Sequence, residues 1–126
     1  MPLVSSLPVP ILIADGVDQS RAALQAQLAR CGREIIAVAS VADALAMLRK
    51  HDFAFVLADV HLADMDGVGL AQHMQREHKA AAVPLIFLTA SVPDAELTLR
   101  SYRSGAVDVL SKPVDALILE AKAKVF

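Results

Sequence analysis

Between residues 10 and 112 the hydrophobic pattern changes period again and again. PILIAD, EIIAVA, FAFVLAD, PLIFLTA and VDVLSK are short, nearly continuous apolar runs, and the segments between them carry apolar residues at helical spacing. Continuous rather than alternating apolarity means that both faces of each strand are covered, as in parallel strands joined by crossover helices. The pattern predicts βαβαβαβαβα, a single doubly wound α/β unit. A chain of 126 residues suits one domain with a real core. Residues 1–9 read as a tail and residues 10–126 as the domain.

The ends of the predicted helices carry their own signals. Asp18 or Ser20 is placed to cap the first helix, whose Ala22, Leu24, Leu28 and Cys31 point to the core, and Gly32 follows as its stop. Ser40-Val-Ala-Asp43 resembles a capping box with Asp in place of Glu, ahead of Leu45, Met47 and Leu48. Pro93-Asp94 opens the fourth helix and Gly105 closes it. Asp115 starts the fifth, along which Leu117, Ile118, Ala121 and Val125 form an apolar stripe.

Composition narrows the function. The net charge is −2, no Lys/Arg cluster occurs and aromatic residues make up 4% of the chain, which argues against a nucleic-acid groove or a membrane-binding face. Partners are expected to be proteins or small ligands. The single Cys31 cannot form an internal disulfide, which fits a reducing, cytoplasmic setting. MPLVSSLPVP lacks a charged leader region and a long apolar stretch, and no later run has the length of a membrane span.

In an open parallel sheet, ligands gather beyond the carboxyl ends of the strands, where strand order reverses. The first predicted strand ends at Asp15, the third at Asp59, the fourth at Thr89 with Ala90, and the fifth at Ser111-Lys112-Pro113. Singly, each residue has an ordinary explanation as a cap, a strand former or a solvated lysine. Together they put two acids, a hydroxyl and a lysine on one rim. Neighbouring carboxylates repel unless a cation offsets them. Oxygen-only ligands favour Mg²⁺, which commonly pairs with phosphate. The constellation points to phosphoryl chemistry, with an Asp carboxylate as nucleophile and the metal, lysine and hydroxyl on the charged oxygens.

Over residues 10–126, ILIADG, VLADVHLADMDG, PLIFLTA and SGAVDVLSKP together resemble the receiver domain of two-component response regulators. The resemblance implies a flavodoxin-like (βα)5 fold with a five-stranded parallel sheet in the order 2-1-3-4-5. It implies that Asp59 accepts a phosphoryl group from a histidine kinase or a histidine phosphotransfer protein, and that Thr89 and Lys112 contact that group. It also implies a Mg²⁺ site formed by Asp15, Asp59 and the backbone carbonyl of His61, and a cis Lys112–Pro113 bond. The only chemistry expected is Mg²⁺-dependent phosphorylation and dephosphorylation of the domain itself, so the chain is a signalling module and not an enzyme acting on a separate substrate.

The sequence departs from the family pattern at three places. Receivers usually carry two adjacent acids at the first strand end; here the second is Gly16, which has no side chain to ligate a metal. Mg²⁺ is therefore expected to bind poorly, with Asp18 as a helix cap before it is a substitute ligand. Val109 stands where the family has its switching aromatic, three residues before the lysine, and Tyr102 is read as packing or surface. Ala63 replaces a common proline.

Two rival readings follow. A degenerate receiver would act through protein contacts alone, independent of phosphorylation. A phosphatase of the haloacid-dehalogenase type is suggested by Asp64-Met65-Asp66-Gly67-Val68, but that motif should follow an apolar strand directly, and Asp59–Ala63 intervene. Asp64 and Asp66 with Gly67 read instead as a turn and cap. His51, His61, His73 and His78 fit no zinc spacing. The chain ends at AKAKVF, inside the apolar periodicity of the last helix, which suggests a domain excised from a longer protein with an output region, or a stand-alone receiver. The stripe on that helix and the face around Val109 offer a surface for a homodimer, but core packing is expected to explain most of the stripe.

Overall fold

A computed structural model describes residues 9–29, 32–60, 62, 67–90, 95–112 and 114–125. Each apolar run contains a strand: β1 (Ile11–Ala14), β2 (Ile35–Val38), β3 (Val56–Asp59), β4 (Leu85–Thr89) and β5 (Asp108–Ser111). All neighbours pair in parallel in the order β2-β1-β3-β4-β5, which is the expected doubly wound order. The helices are α1 (Asp18–Leu28), α2 (Val41–Lys50), α3 (Gly67–Arg76), α4 (His78–Ala81), α5 (Ala95–Arg103) and α6 (Ala116–Val125).

The continuous apolar runs are explained by burial on both faces. Successive strand side chains alternate between faces. Leu12, Val56 and Phe87 pack into a layer with Leu45 and Leu48 of α2 and Leu70 of α3. Ile13, Leu57 and Ile86 pack on the other side with Leu24 and Leu28 of α1 and Leu119 of α6. β1, β3 and β4 are buried throughout, whereas the outer strands β2 and β5 are half-buried for most of their length.

Several local expectations hold. The Ser40 hydroxyl accepts from the Asp43 amide at 3.1 Å and so caps α2. Asp115 accepts from the Leu117 amide at 2.8 Å at the start of α6. Gly32 and Gly105 follow their helices with φ of +73° and +112°.

Others are corrected. α1 is preceded by Val17, which makes no side-chain cap. Asp18 is 94% exposed and paired with Arg21, while Ser20 is turned back toward the strand ends. Ala22 is exposed, whereas Leu24 and Leu28 of its predicted face are buried. On α6, Leu117 and Ile118 are exposed at 74% and 48%, and Leu119 is the buried anchor, so core packing does not account for these two members of the expected stripe. The third predicted helix breaks in two at Glu77, whose extended backbone (φ −110°, ψ 123°) starts the one-turn α4. No Gly or Pro marks that break. Both Glu77 carboxylate oxygens are held by Arg49, at 2.7 and 3.0 Å. His73 and His78 thus belong to separate helices, and His51 lies edge-on to Phe53. Tyr102 is a surface residue, 47% exposed. Cys31, Ala63, the Asp64–Asp66 turn and Pro93-Asp94 lie outside the described residues.

A left-handed residue costs an L side chain roughly 1–2 kcal/mol. A Cβ on Gly105 would also lie 2.5 Å from Gln75 Nε2, whereas one on Gly32 would meet nothing within 4 Å. Gly105→Ala is therefore expected to lower the unfolding free energy by about 2 kcal/mol and by more than Gly32→Ala. Urea denaturation of the two variants beside the parent chain measures both.

Candidate functional site at the carboxyl ends of the strands

The sheet itself brings the site together. Chain direction across the sheet reverses between β1 and β3, which pair with Ala14 opposite Ala58. The residues that follow, Asp15 and Asp59, therefore emerge side by side at the switch point, where open parallel sheets hold their ligands. The Asp15 amide donates to Val38 O at 3.0 Å and the Val60 amide to Leu88 O at 3.0 Å, so both acids are held by ladder bonds on either side. Thr89 ends β4 opposite Ser111, and the Lys112 amide donates to Thr89 O at 2.7 Å. That bond starts the lysine on its way back over the sheet.

The Lys112 ammonium lies between the two acids. It donates to Asp15 Oδ2 at 2.8 Å and closely to Asp59 Oδ2. It also donates to Ser20 Oγ at 2.5 Å. Asp15 is 0% exposed, and every acceptor position it uses is filled from within the chain: Oδ1 takes the Val17 amide at 2.9 Å, and Oδ2 takes Lys112 and the Ser20 hydroxyl, the latter at 2.6 Å. Arg21 Nη1 donates to the Asp15 carbonyl at 2.9 Å and fixes the loop from the helix side. The Asp59 side chain keeps 11% exposure, so the carboxylate that meets the lysine is also open to solvent. Thr89 is buried at 4% exposure. Ser20, Lys112 and Ala90 border a cavity of about 260 Å³ whose remaining lining is Ala23, Leu24, Gln27 and Val114.

These contacts set the ionisation of the pair. Burial alone disfavours the Asp15 carboxylate, but the hydrogen bonds from Lys112, Ser20 and Val17 outweigh it and hold the pKa below the ordinary Asp value. Burial likewise disfavours the Lys112 ammonium, and the bonds to Asp15 and Asp59 outweigh that, raising its pKa.

The predicted residues Asp15, Asp59 and Lys112 are thus in direct contact, and Thr89 stands on the adjacent strand end. His61 and Pro113, with the implied carbonyl ligand and cis bond, lie outside the described residues. Sequence reading missed Ser20 as a member of the cluster, having placed it only as a cap. The available signal was a hydroxyl on the first turn of the helix that follows the Asp15 loop, where it can turn back to the strand ends.

Residues 11–124 match the family described as the response regulator receiver domain. The chain belongs to this family. Among curated relatives it is 32% identical over 118 residues to the transcriptional regulatory protein AfsQ1 of Streptomyces coelicolor, covering 94% of this chain and 50% of that protein. It is 33% identical over 107 residues to the transcriptional regulatory protein ZraR of Salmonella typhimurium, covering 85% of this chain and 24% of that one. The chain therefore spans half or less of these relatives' lengths. A solved response regulator receiver domain protein (CheY-like) of Methanospirillum hungatei superposes with a TM-score of 0.81 at 25% identity, covering 94% of this chain and 92% of that one.

In this receiver domain Lys112→Met would strand the buried Asp15 carboxylate, a loss of about 3 kcal/mol at neutral pH. The Asp15 contribution is present above the ordinary carboxylate pKa and lost as pH falls through its lower folded value. The Lys112 contribution is present below the ordinary lysine pKa and lost as pH rises through its higher folded value. The stability gap between parent and variant is thus widest between those ranges and narrows in acid. Urea titrations at neutral pH and in acid check this; a gap independent of pH contradicts it.

Proposed function

We propose that this receiver domain is a phosphoacceptor in which Asp59 takes a phosphoryl group from a phosphohistidine on a histidine kinase or a histidine phosphotransfer protein. A carboxylate oxygen of Asp59 forms the new P–O bond, the P–N bond breaks, and its electron pair leaves on the imidazole, which gains a proton from solvent. The observation that supports this most is the Lys112 ammonium seated on a solvent-reaching Asp59 carboxylate at the switch point. That ammonium can pass from the carboxylate to the oxygens of the incoming group, and Thr89 stands on the next strand to add its hydroxyl.

The residues also fit the implied metal. Mg²⁺ keeps several waters and is bound through one or two carboxylates with phosphate oxygens, and the rim offers two, Asp15 and Asp59. These would hold it with the His61 carbonyl, and when bound it supplies charge neutralisation at the phosphoryl oxygens. Gly16 adds no carboxylate to these two, which is the basis for reading the site as a weakened one. Left-handed φ among the described residues occurs only at Gly32 and Gly105, so backbone conformation does not require glycine at position 16.

The proposal extends to the parent protein. As the curated relatives are transcriptional regulatory proteins of at least twice this span, the module is assigned to a cytoplasmic response regulator whose output region lies in a longer chain. A second reading, a receiver that works by protein contacts without phosphorylation, is favoured by one observation: Lys112 already serves as the cation between Asp15 and Asp59.

Incubation with acetyl phosphate and Mg²⁺, followed by intact-mass measurement, separates the two. Phosphoacceptance gives a mass gain of one PO₃ unit that Asp59→Asn abolishes; no gain with any phosphodonor leaves the contact-only reading. Gly16→Asp restores the missing acid and is expected to tighten Mg²⁺ binding about tenfold or more, since one added carboxylate at such a site is worth at least 1.4 kcal/mol or so. Amide shifts followed through a Mg²⁺ titration give both constants.

A further inference from the structure

The Lys112 ammonium has three protons and no acceptor, and its partners are Asp15 Oδ2, Asp59 Oδ2 and Ser20 Oγ. Because lysine can only donate, Ser20 must accept from it, which leaves the single hydroxyl proton of Ser20 for Asp15 Oδ2 at 2.6 Å. The three atoms Lys112 Nζ, Ser20 Oγ and Asp15 Oδ2 therefore close a ring in which every donor has one acceptor. Ser20 reaches it from the first turn of α1, which Arg21 pins to the Asp15 carbonyl.

We propose that Ser20 is a positioning residue that parks the Lys112 ammonium between the carboxylates and so sets how readily a divalent cation enters. This inference rests on the phosphoacceptor reading only for its biological use; the ring itself does not depend on phosphoryl transfer. Ser20 works in two ways that have the same sign. It gives Lys112 a third acceptor, which holds the ammonium on the two carboxylates that a metal would need. It also gives Asp15 a donor, which lowers the carboxylate's demand for a cation. With Gly16 in place of a second acid, the lysine is the main counter-cation of the pocket, and its retention decides the competition.

Removing the hydroxyl should favour the metal. One hydrogen bond to a charged group corresponds to roughly a three- to tenfold change in affinity, so Ser20→Ala is expected to bind Mg²⁺ about that much more tightly than the parent, by amide shifts in a Mg²⁺ titration. Ser20→Thr, which keeps the hydroxyl, should return to the parent value. In a Lys112→Met background Ser20→Ala should change Mg²⁺ affinity by less than half as much on the logarithmic scale, because the lysine through which it acts is gone. A metal-free readout accompanies these: the Lys112 ammonium protons, followed by ¹⁵N NMR, should exchange with water faster in Ser20→Ala than in the parent and Ser20→Thr. Equal Mg²⁺ affinities in parent and Ser20→Ala, including no saturable binding in either, or unchanged ammonium exchange, would overturn the proposal. Neither measurement uses a phosphodonor, so failure of Asp59 to accept a phosphoryl group is scored separately.

Discussion

One ammonium between two carboxylates is the interaction on which the rest of this receiver domain turns. Parallel pairing with Ala14 opposite Ala58 leaves Asp15 and Asp59 no choice but to emerge together, and two adjacent anions at a partly buried strand end repel. Asp15 is completely buried, so water does little to relieve it. Lys112 supplies the missing charge from the far side of the sheet, with its backbone anchored on Thr89. The arrangement needs all the sheet connections between β1 and β5 to be in register. Its cost in burial is offset by complete hydrogen bonding, which is the condition under which buried charge is tolerated.

Much of this could be read from the sequence because the signals are redundant. The five apolar runs set the strands, and their lack of alternation required helices on both faces; Leu12 and Ile13 confirm it by packing into opposite layers. The strand-end residues Asp15, Asp59 and Lys112 were visible because each closes an apolar run. What escaped was local geometry decided by tertiary contact. Ser20 and Asp18 are equivalent as cap candidates on propensity, and only the position of Lys112 draws Ser20 inward while Asp18 goes to Arg21 in solvent. The break before α4 has no Gly or Pro to announce it and coincides with Glu77 engaging Arg49 across the gap from α2. The outward turn of Leu117 and Ile118 was hidden because an apolar stripe does not say which of its residues the fold will cover.

Gly16 follows the end of β1 beside the acidic rim, and Val109 lies within β5. At the first, formal charge is reduced: two carboxylates against one ammonium leave a single net negative charge, where a third acid would leave two. At the second, Val109 is half-buried and packs against the layer that holds Phe87, and it has no ring to move. Beside it, Asp108 ties the α5–β5–α6 face to itself, accepting from the Tyr102 hydroxyl at 3.4 Å and the Val109 amide at 2.9 Å and pairing with Lys122.

Among the described residues, a direct covalent and hydrogen-bonded route joins the acidic rim to that face. Thr89 and Ser111 are paired, Lys112 is bound to Thr89 through its amide, and three residues back along β5 is Val109. Under the proposed phosphoacceptor function, drawing the Lys112 ammonium from the carboxylates toward a phosphoryl group would act on the end of β5 itself, which pairs with β4. A ring flip reports such a motion by moving a bulky group between core and surface. A valine cannot, so under that reading the displacement would be carried by the backbone and by the Asp108 contacts that hold α5 and α6 to the strand. Lys112 is the resting counter-cation of the rim, and under the proposed phosphoacceptor function it would also be the first part to move, with the hold of Ser20 acting at that step.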